Sequence, residues 1–280
     1  MIHFKTKFHS FFYIILLLVC SFVSSCGGSK TLLEEQVINI NKKQTQDNIS
    51  FFFTTMSAMT VNVFYEEEAK PYAGSSESGL ETWSLTEANL KKVFGIREQE
   101  MKLTVPKELE DMTKLEIESK DNWSSGEIVE LSSTLLHKDK VIEEKVGYFT
   151  IIFLNGYFRD GDDQENQNVI AVSLNGTNVI GVFKPVIENM ADGKDRLGRF
   201  VEQSTIIHEM GHALGLVNNG VGLTSPHHDE EHGAHCSNED CVMYWQNEGR
   251  ANLISFVQKV LIDGNTTLFG DECLEDFKSH

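Results

Sequence analysis

The chain has 280 residues, of which 40% are hydrophobic and 24% are charged. This composition supports a sizeable buried core and excludes an intrinsically disordered or fibrous protein. The formal net charge at pH 7 is −18, and so acidic a surface repels phosphate backbones, which argues against nucleic acid as a partner.

Residues 1–25 are predicted to be a secretory signal peptide, because a basic start, an apolar run at 11–23 and a stretch of small residues follow one another. The apolar run is too short for a finished transmembrane helix. The letters VSSC at 23–26 resemble a bacterial lipoprotein box. This resemblance implies a lipid on Cys26 and an exported, membrane-anchored protein, with the outer membrane or cell surface favoured. Residues 26–50 would form the lipidated N-terminus and a flexible tether.

Residues 51–280 are predicted to form one α/β (α+β) domain with a mixed twisted sheet, a long helix and a small C-terminal helical part. A capping-box signature at Ser84 and Glu87 marks the start of the first helix. Strands are predicted at 57–68, 101–106, 114–119 and 147–158, and residues 168–185 read as a hairpin that turns at Asn175 and Gly176. Helices are predicted at 84–95, 124–138, 198–215, 251–263 and 271–279.

The sequence HEMGH at 208–212 predicts a metal site on the long helix. His208 and His212 are four residues apart, so both imidazoles leave one face of a helix and can bind the same ion. Zn²⁺ suits neutral imidazole, and a catalytic zinc takes three protein ligands and keeps one position open. Glu209 would take a proton from the attacking water and pass it to the leaving amine. The competing interpretation is an accidental HExxH motif on a solvated helix face.

Gly215 follows His212 by three residues, and the resulting pattern HExxHxxG resembles the metzincin clan of zinc proteases. The resemblance implies a metzincin-like fold, an endopeptidase activity and a protein or peptide substrate. In that clan the third ligand, a histidine or sometimes an aspartate, lies three residues after the glycine. This chain has Asn218 there, whose neutral amide oxygen is a poor zinc ligand.

A third ligand is instead expected in AHCSNEDCVMYW at 234–245. The order H-C-x4-C-V-M resembles the archaemetzincin branch, in which the histidine is the third ligand and the methionine belongs to a tight turn below the metal. On this resemblance the third ligand is His235 and the turn methionine is Met243. Residues 219–234 would then be an insertion ahead of the third ligand.

The insertion contains further residues that could complete the site, and the ligand types alone leave them open. A loose metal-binding tract without a defined site is another alternative. The alternative third ligands are His227, His228, Asp229 and His232.

Three cysteines remain beyond the predicted lipidation site, namely Cys236, Cys241 and Cys273. Archaemetzincins carry additional cysteines for a second zinc, but this chain has only Cys273 further on, which argues against a second cysteine site. A disulfide between Cys236 and Cys241 suits an exported protein and is favoured over free thiols.

The metzincin resemblance also implies an edge strand that pairs with extended substrate, and residues 178–183 are the candidate, with an ordinary core strand as the alternative. Some metzincins use a tyrosine two residues after the turn methionine. That position is Trp245 here, and Tyr244 is expected to pack. Residues 160–166 resemble a calcium loop in their alternating acidic positions but lack its glycine and closing glutamate, so a solvated turn is predicted.

The function predicted from these patterns is hydrolysis of peptide bonds by a lipid-anchored zinc endopeptidase. The alternative from another class is a non-catalytic zinc-binding or adhesion lipoprotein that keeps the same fold. An open position beside Glu209 would favour the enzyme, whereas a closed site with four protein ligands would favour the alternative.

Overall fold

The computed structural model describes residues 49–77, 79–97, 100–137, 145–159, 165–174 and 176–278. The predicted signal peptide, Cys26 and most of the predicted tether lie outside this range, as do Asn175 and most of the 160–166 turn. Among the described residues, no helix is both long enough and apolar enough to cross a membrane.

The secondary structure follows the predicted alternation of strands and helices, except that the strand predicted at 114–119 is only the two-residue β3 at its start. The strands are β1 Ala58–Tyr65, β2 Lys102–Thr104, β3 Thr113–Lys114, β4 Asn122–Trp123, β5 Val146–Leu154, β6 Tyr157–Arg159, β7 Glu165–Asn166, β8 Ala171–Ser173, β9 Val179–Phe183, β10 His228–Asp229 and β11 His235–Cys236. The helices are α1 Ser84–Phe94, α2 Ser125–His137, α3 Lys184–Ala191, α4 Asp195–Ala213, α5 Arg250–Asp263 and α6 Asp271–Phe277.

The main sheet has the strand order β2-β1-β5-β9-β8, and β3 pairs with the end of β1. All of its pairings are parallel except that between β8 and β9. The predicted mixed sheet in an α/β domain is therefore confirmed. Two smaller sheets, β4-β6-β7 and β10-β11, lie outside it.

The hairpin predicted at 168–185 is present as β8 and β9, but the predicted edge strand is wrong. Strand β9 lies between β5 and β8, so the segment 178–183 is central and β8 forms the edge. Every residue of β9 is buried, because α2 and α4 both pack on this strand. A continuous apolar run is typical of a strand covered on both faces, whereas β8 is partly exposed.

Helix starts differ from the prediction in two places. Ser84 Oγ donates to the carbonyl of Glu81 rather than capping α1, whose N-cap is Trp83. The reciprocal capping box instead opens α2: the Ser124 N–H donates to Glu127 Oε2 at 2.9 Å, and the Glu127 N–H donates to Ser124 Oγ at 3.3 Å. Helix α3 was not predicted, although Pro185 in its first turn is a start signal.

The described part of the chain begins inside the segment predicted to be a tether. Ile49 is only 2% exposed, and its Cδ1 fills the space that a Cβ on Gly215 would need. Gly215 has φ +83°, which a glycine adopts without strain, and it ends the long helix as predicted. The ring of Phe53 lies 5.0 Å from that of Phe277 in α6, so the first described turn packs against the last helix.

We expect Glu127→Gln to destabilise the fold by about 1 kcal/mol near neutral pH, because the neutral amide can still form the cap but loses the ion pairs with Lys120 and Arg159. Burial opposes ionisation, but hydrogen bonds from Ser124, Lys120 and Arg159 lower the pKa of Glu127 to about 2. A lowered folded-state pKa gives stability that is present above about pH 4.5 and is lost toward pH 2. In urea unfolding, the difference from the unaltered chain should therefore shrink in acid. The exposed Glu130→Gln variant is the control, and a pH-independent difference would contradict the assignment.

Candidate metal centre

Helix α4 brings His208 and His212 together near its C-terminal end, within a helix whose last three turns are almost entirely buried. The two Nε2 atoms are 3.0 Å apart. Two ligands of one tetrahedral zinc, each at 2.0–2.1 Å, would be separated by about 3.3 Å. Both nitrogens can therefore face one ion after a small adjustment.

Strand β11 supplies a third imidazole to the same place. The ring of His235 lies 5.3 Å from that of His208 and 4.8 Å from that of His212. Its Nε2 is 3.1 Å from Glu248 Oε1 but makes no well-oriented hydrogen bond to any residue that the structure describes. One ligand atom from each of these four residues falls within 4.8 Å of the others. A buried ring nitrogen that lacks a well-oriented hydrogen bond is expected where its lone pair coordinates a metal ion.

Two backbone carbonyls set the orientation of the histidine rings. His208 Nδ1 contacts the Val242 carbonyl at 2.7 Å, and His235 Nδ1 contacts the His232 carbonyl at 2.6 Å. Because a carbonyl only accepts, each Nδ1 must carry the proton and donate it. The lone pair is then on Nε2, which faces the shared centre, and outer hydrogen bonds of this kind orient metal ligands.

Electrostatics favour the neutral imidazoles that a metal requires. Burial lowers the pKa of His208 to about 4 and holds that of His212 well below its usual range. For His235, burial acts in the same direction, but the Glu248 carboxylate outweighs it and raises the pKa. Metal binding would compete with that protonation.

Glu209 lies on α4 between the two helical histidines and is only 7% exposed. Burial raises its pKa to about 8, and the nearby Glu248 carboxylate adds to the effect. The backbone N–H of Ser173 in β8 donates to the Glu209 carboxylate. The edge strand of the sheet therefore meets α4 at this residue.

Met243 lies in a tight turn against the ligand-bearing helix. The turn is closed by the Tyr244 N–H, which donates to the Cys241 carbonyl at 3.0 Å. Met243 is fully buried, and a Cβ on Gly211 of α4 would overlap its Sδ. Since the same turn carries Val242, whose carbonyl orients His208, this turn supports the histidine cluster from one side.

The residue at the metzincin ligand position, Asn218, and the alternative ligands of the 228–232 stretch lie elsewhere. Asn218 is exposed with φ +61°. His228 Nε2 contacts the carbonyl of Gly233, and His232 stacks on Trp245 with ring centroids 3.7 Å apart. Asp229 pairs with His232. The structure thus groups His235, and not these four residues, with His208 and His212.

His227 belongs to a second group, with Cys236 and Cys273. Cys241 joins this group through Cys273, with the two Sγ atoms 3.6 Å apart. All three cysteines are free thiols, so the predicted disulfide between Cys236 and Cys241 is wrong. Their sulfurs point toward a site shared with His227 and the C-terminal helix. Hydrogen bonds from the thiols of Cys241 and Cys273 hold the pKa of Cys236 far below its usual range.

A cavity of about 310 Å³ lies beside the histidine cluster, between β8 and the C-terminal part of the chain. Residues 168–172, Thr205 and Leu253 line it, and His208 and Glu248 connect it to the metal-binding atoms. The cavity could hold one side chain of a bound peptide.

The sequence patterns located His208, Glu209, His212, His235 and Met243, all of which the structure brings into one region. Sequence reasoning missed Glu248, Ser173 and the second group. The sequence signal for the second group was the three cysteines and His227, but the sequence interpretation assigned Cys236 and Cys241 to a disulfide and His227 to the first site as an alternative ligand. No protein-family model, no curated protein and no solved structure matches this chain.

We expect Gly211→Ala to destabilise the fold by about 1–2 kcal/mol. Overpacking against Met243 costs about 1–3 kcal/mol, and the higher helix propensity of alanine offsets up to about 1 kcal/mol of it. The matched background is Met243→Ala, which removes the overlapping sulfur, so Gly211→Ala should cost less there. Chemical denaturation of the unaltered chain, the two single variants and the double variant measures the coupling between Gly211→Ala and Met243→Ala. Equal costs in both backgrounds would show that Met243 does not pack against Gly211 as described.

Proposed function

We propose that this protein is a zinc-dependent endopeptidase. The observation that carries the proposal is the convergence of three imidazoles, from His208, His212 and His235, beside the buried carboxylate of Glu209. Three histidines are a ligand set typical of catalytic zinc, which needs a further position for water or substrate. Imidazole ligands alone also fit other transition metals, but a carboxylate held next to the site suits zinc hydrolases.

When bound, zinc would supply Lewis acidity toward the scissile carbonyl and the attacking water. Glu209 would accept a proton from that water as its oxygen attacks the carbonyl carbon. As the C–N bond breaks, the same carboxyl group would give the proton to the leaving nitrogen. The Ser173 N–H holds Glu209 in place by donating to its carboxylate.

Strand β8 supports the assignment to peptide substrates. It is the last strand of the main sheet path and adjoins Glu209 through Ser173. An extended peptide could add to this edge as a further strand, which gives binding through main-chain hydrogen bonds. One of its side chains would enter the cavity lined by Thr205 and Leu253. We propose that the substrate is therefore an extended protein segment rather than a folded surface.

Export and a lipid anchor on Cys26 remain part of this proposal. They rest on the order of residues in the first 26 positions and on the resemblance of VSSC to a lipoprotein box. An enzyme held this way would meet substrates outside the cytoplasm. The metzincin-like fold likewise rests on the motifs HExxHxxG and H-C-x4-C-V-M.

The second candidate function is a non-catalytic zinc-binding or adhesion protein, and Glu248 is the observation that favours it. Its Oε1 is within reach of the three histidine nitrogens. If this carboxylate were a permanent fourth ligand, the site would be closed and structural. Its side chain is 57% exposed, however, so it can move away from the site at low cost. We therefore propose the open, catalytic site.

We expect Glu209→Gln to lower the rate of peptide hydrolysis by about 100-fold or more, because the amide cannot accept the proton from water. Zinc content should stay unchanged, since Glu209 is not a ligand. The assay combines a library of fluorescence-quenched peptides with metal analysis of the full chain in mild detergent. Unaltered hydrolysis in Glu209→Gln would disprove the proposed role of this residue.

Glu248→Gln distinguishes the two functions. On the proposed function it leaves zinc affinity within about threefold and hydrolysis measurable, because three histidines suffice. Loss of a permanent fourth ligand would instead lower zinc affinity by more than the about 10–100-fold that is typical for loss of an outer partner. Glu239→Gln, an exposed change nearby, is the matched control. Loss of zinc from Glu248→Gln, together with no hydrolysis by the unaltered chain, would favour the binding protein.

A further inference from the structure

We propose that His227, Cys236, Cys241 and Cys273 form a second zinc site, a closed structural one. The proposal goes beyond the peptidase function and does not depend on hydrolysis. It reverses the sequence expectation, which argued against a second cysteine site, because His227 takes the place of a fourth cysteine. The ligands come from four places in the chain, namely the residue before β10, strand β11, the turn after β11 and helix α6.

The distances match a tetrahedral arrangement. With Zn–S near 2.3 Å and Zn–N near 2.0–2.1 Å, two sulfurs would be about 3.8 Å apart, and a sulfur and a nitrogen about 3.6 Å apart. Cys241 Sγ and Cys273 Sγ are 3.6 Å apart. His227 Nδ1 lies 3.3 Å from Cys236 Sγ and 3.9 Å from Cys273 Sγ. No covalent bond among the thiols accounts for this spacing, because all three are free.

Outer contacts prepare His227 as a ligand. Its Nε2 lies 2.8 Å from Asp276 Oδ2 in α6, so the proton sits on Nε2 and the lone pair of Nδ1 faces the sulfurs. Asp276 is fully buried, and its other oxygen accepts hydrogen bonds from the N–H and hydroxyl groups of Thr224. A carboxylate behind a histidine is the usual support of a zinc ligand.

Backbone N–H groups are placed to stabilise negative charge on two of the three sulfurs, those of Cys236 and Cys241. Asn238 N–H donates to Cys236 Sγ, and the N–H groups of Met243 and Gly270 donate to Cys241 Sγ, at 3.1–3.4 Å. Backbone donors of this kind stabilise thiolates, which are the form that binds zinc. The three cysteines are fully buried, and uncompensated thiolate charge there would be costly. A divalent cation would neutralise it.

The second site also bears on the first, because neighbouring residues of β11 serve both. Successive side chains of a strand point to opposite faces, so His235 faces the histidine cluster and Cys236 faces the cysteine cluster. The Cys236 N–H donates to the Met243 carbonyl at 2.8 Å. An ion held by Cys236 would therefore fix β11 and, with it, the third imidazole of the first site.

The test counts zinc per chain in the full protein, with Cys20→Ser and Cys26→Ser in every preparation so that only the three clustered thiols report. We expect two zinc ions in this background and one in the His208→Ala, His212→Ala variant. Cys273→Ser should lose the second ion and also bind the first more weakly. Val257→Ala, which trims a fully buried side chain outside both groups, is the packing control and should keep two.

Cobalt substitution provides a second measurement that does not rely on a stable Cys273 variant. Co²⁺ bound to thiolates gives intense sulfur-to-metal charge-transfer bands, which imidazole ligands do not. These bands should persist in the His208→Ala, His212→Ala variant and weaken in Cys273→Ser. A single zinc in the background chain, two in Cys273→Ser, or cobalt bound without charge-transfer bands would each overturn the second site. If the background chain binds both ions but hydrolyses no peptide, that result counts against the peptidase proposal alone.

Discussion

The candidate site depends on one physical constraint, which is that imidazole lone pairs are held out of water and aimed at a common point. A buried nitrogen without a partner is costly, so such an arrangement persists only where the surrounding structure enforces it. Here two backbone carbonyls hold the rings, and the backbone geometry fixes both carbonyls. One is the carbonyl of Val242 in the tight turn, and the other is the carbonyl of His232 in the loop of the β10–β11 hairpin. The rings are therefore oriented before any ligand arrives.

The same logic explains why so much of the C-terminal third of the chain is ordered around α4. The turn at Met243 packs beneath Gly211, and the edge strand β8 reaches Glu209 through Ser173. The chain returns at its end through α6, where Asp276 meets His227. Each of these contacts joins segments far apart in sequence, so the site is a product of the tertiary fold and not of any one motif.

The sequence predicted those parts of the molecule whose physics is local. Periodicity located the strands and helices, and the HExxH spacing identified two histidines on one helical face. It also pointed to His235, because the nine-residue pattern H-C-x4-C-V-M from His235 to Met243 is uninterrupted. The edge position of β8 was missed, because the position of a strand in a sheet depends on which strands pair, and the sequence of the hairpin does not give that pairing. The reciprocal cap at Ser124 was missed because the same pattern at Ser84 was equally plausible in the sequence.

The cysteine cluster could not be predicted for a related reason. Spacing brings Cys236 and Cys241 close and so suggested a bond between them, whereas Cys273 and His227 join them only through the path of α6 and of the insertion. Short-range spacing says which residues can meet, and long-range topology decides which do.

The anchoring of His227 has a consequence for the segment 219–234 that links α4 to β11. Closing a long loop normally costs chain entropy. This cost rises with the logarithm of the loop length, by about 0.6 kcal/mol for each doubling. Here His227 is fixed by Asp276, and the next residues return at once as β10 paired with β11. The segment is thereby divided at His227 into two short loops that close independently. Insertions and deletions then cost the least stability in the stretch before His227. Residues added there would lengthen one small loop and would not move the imidazoles.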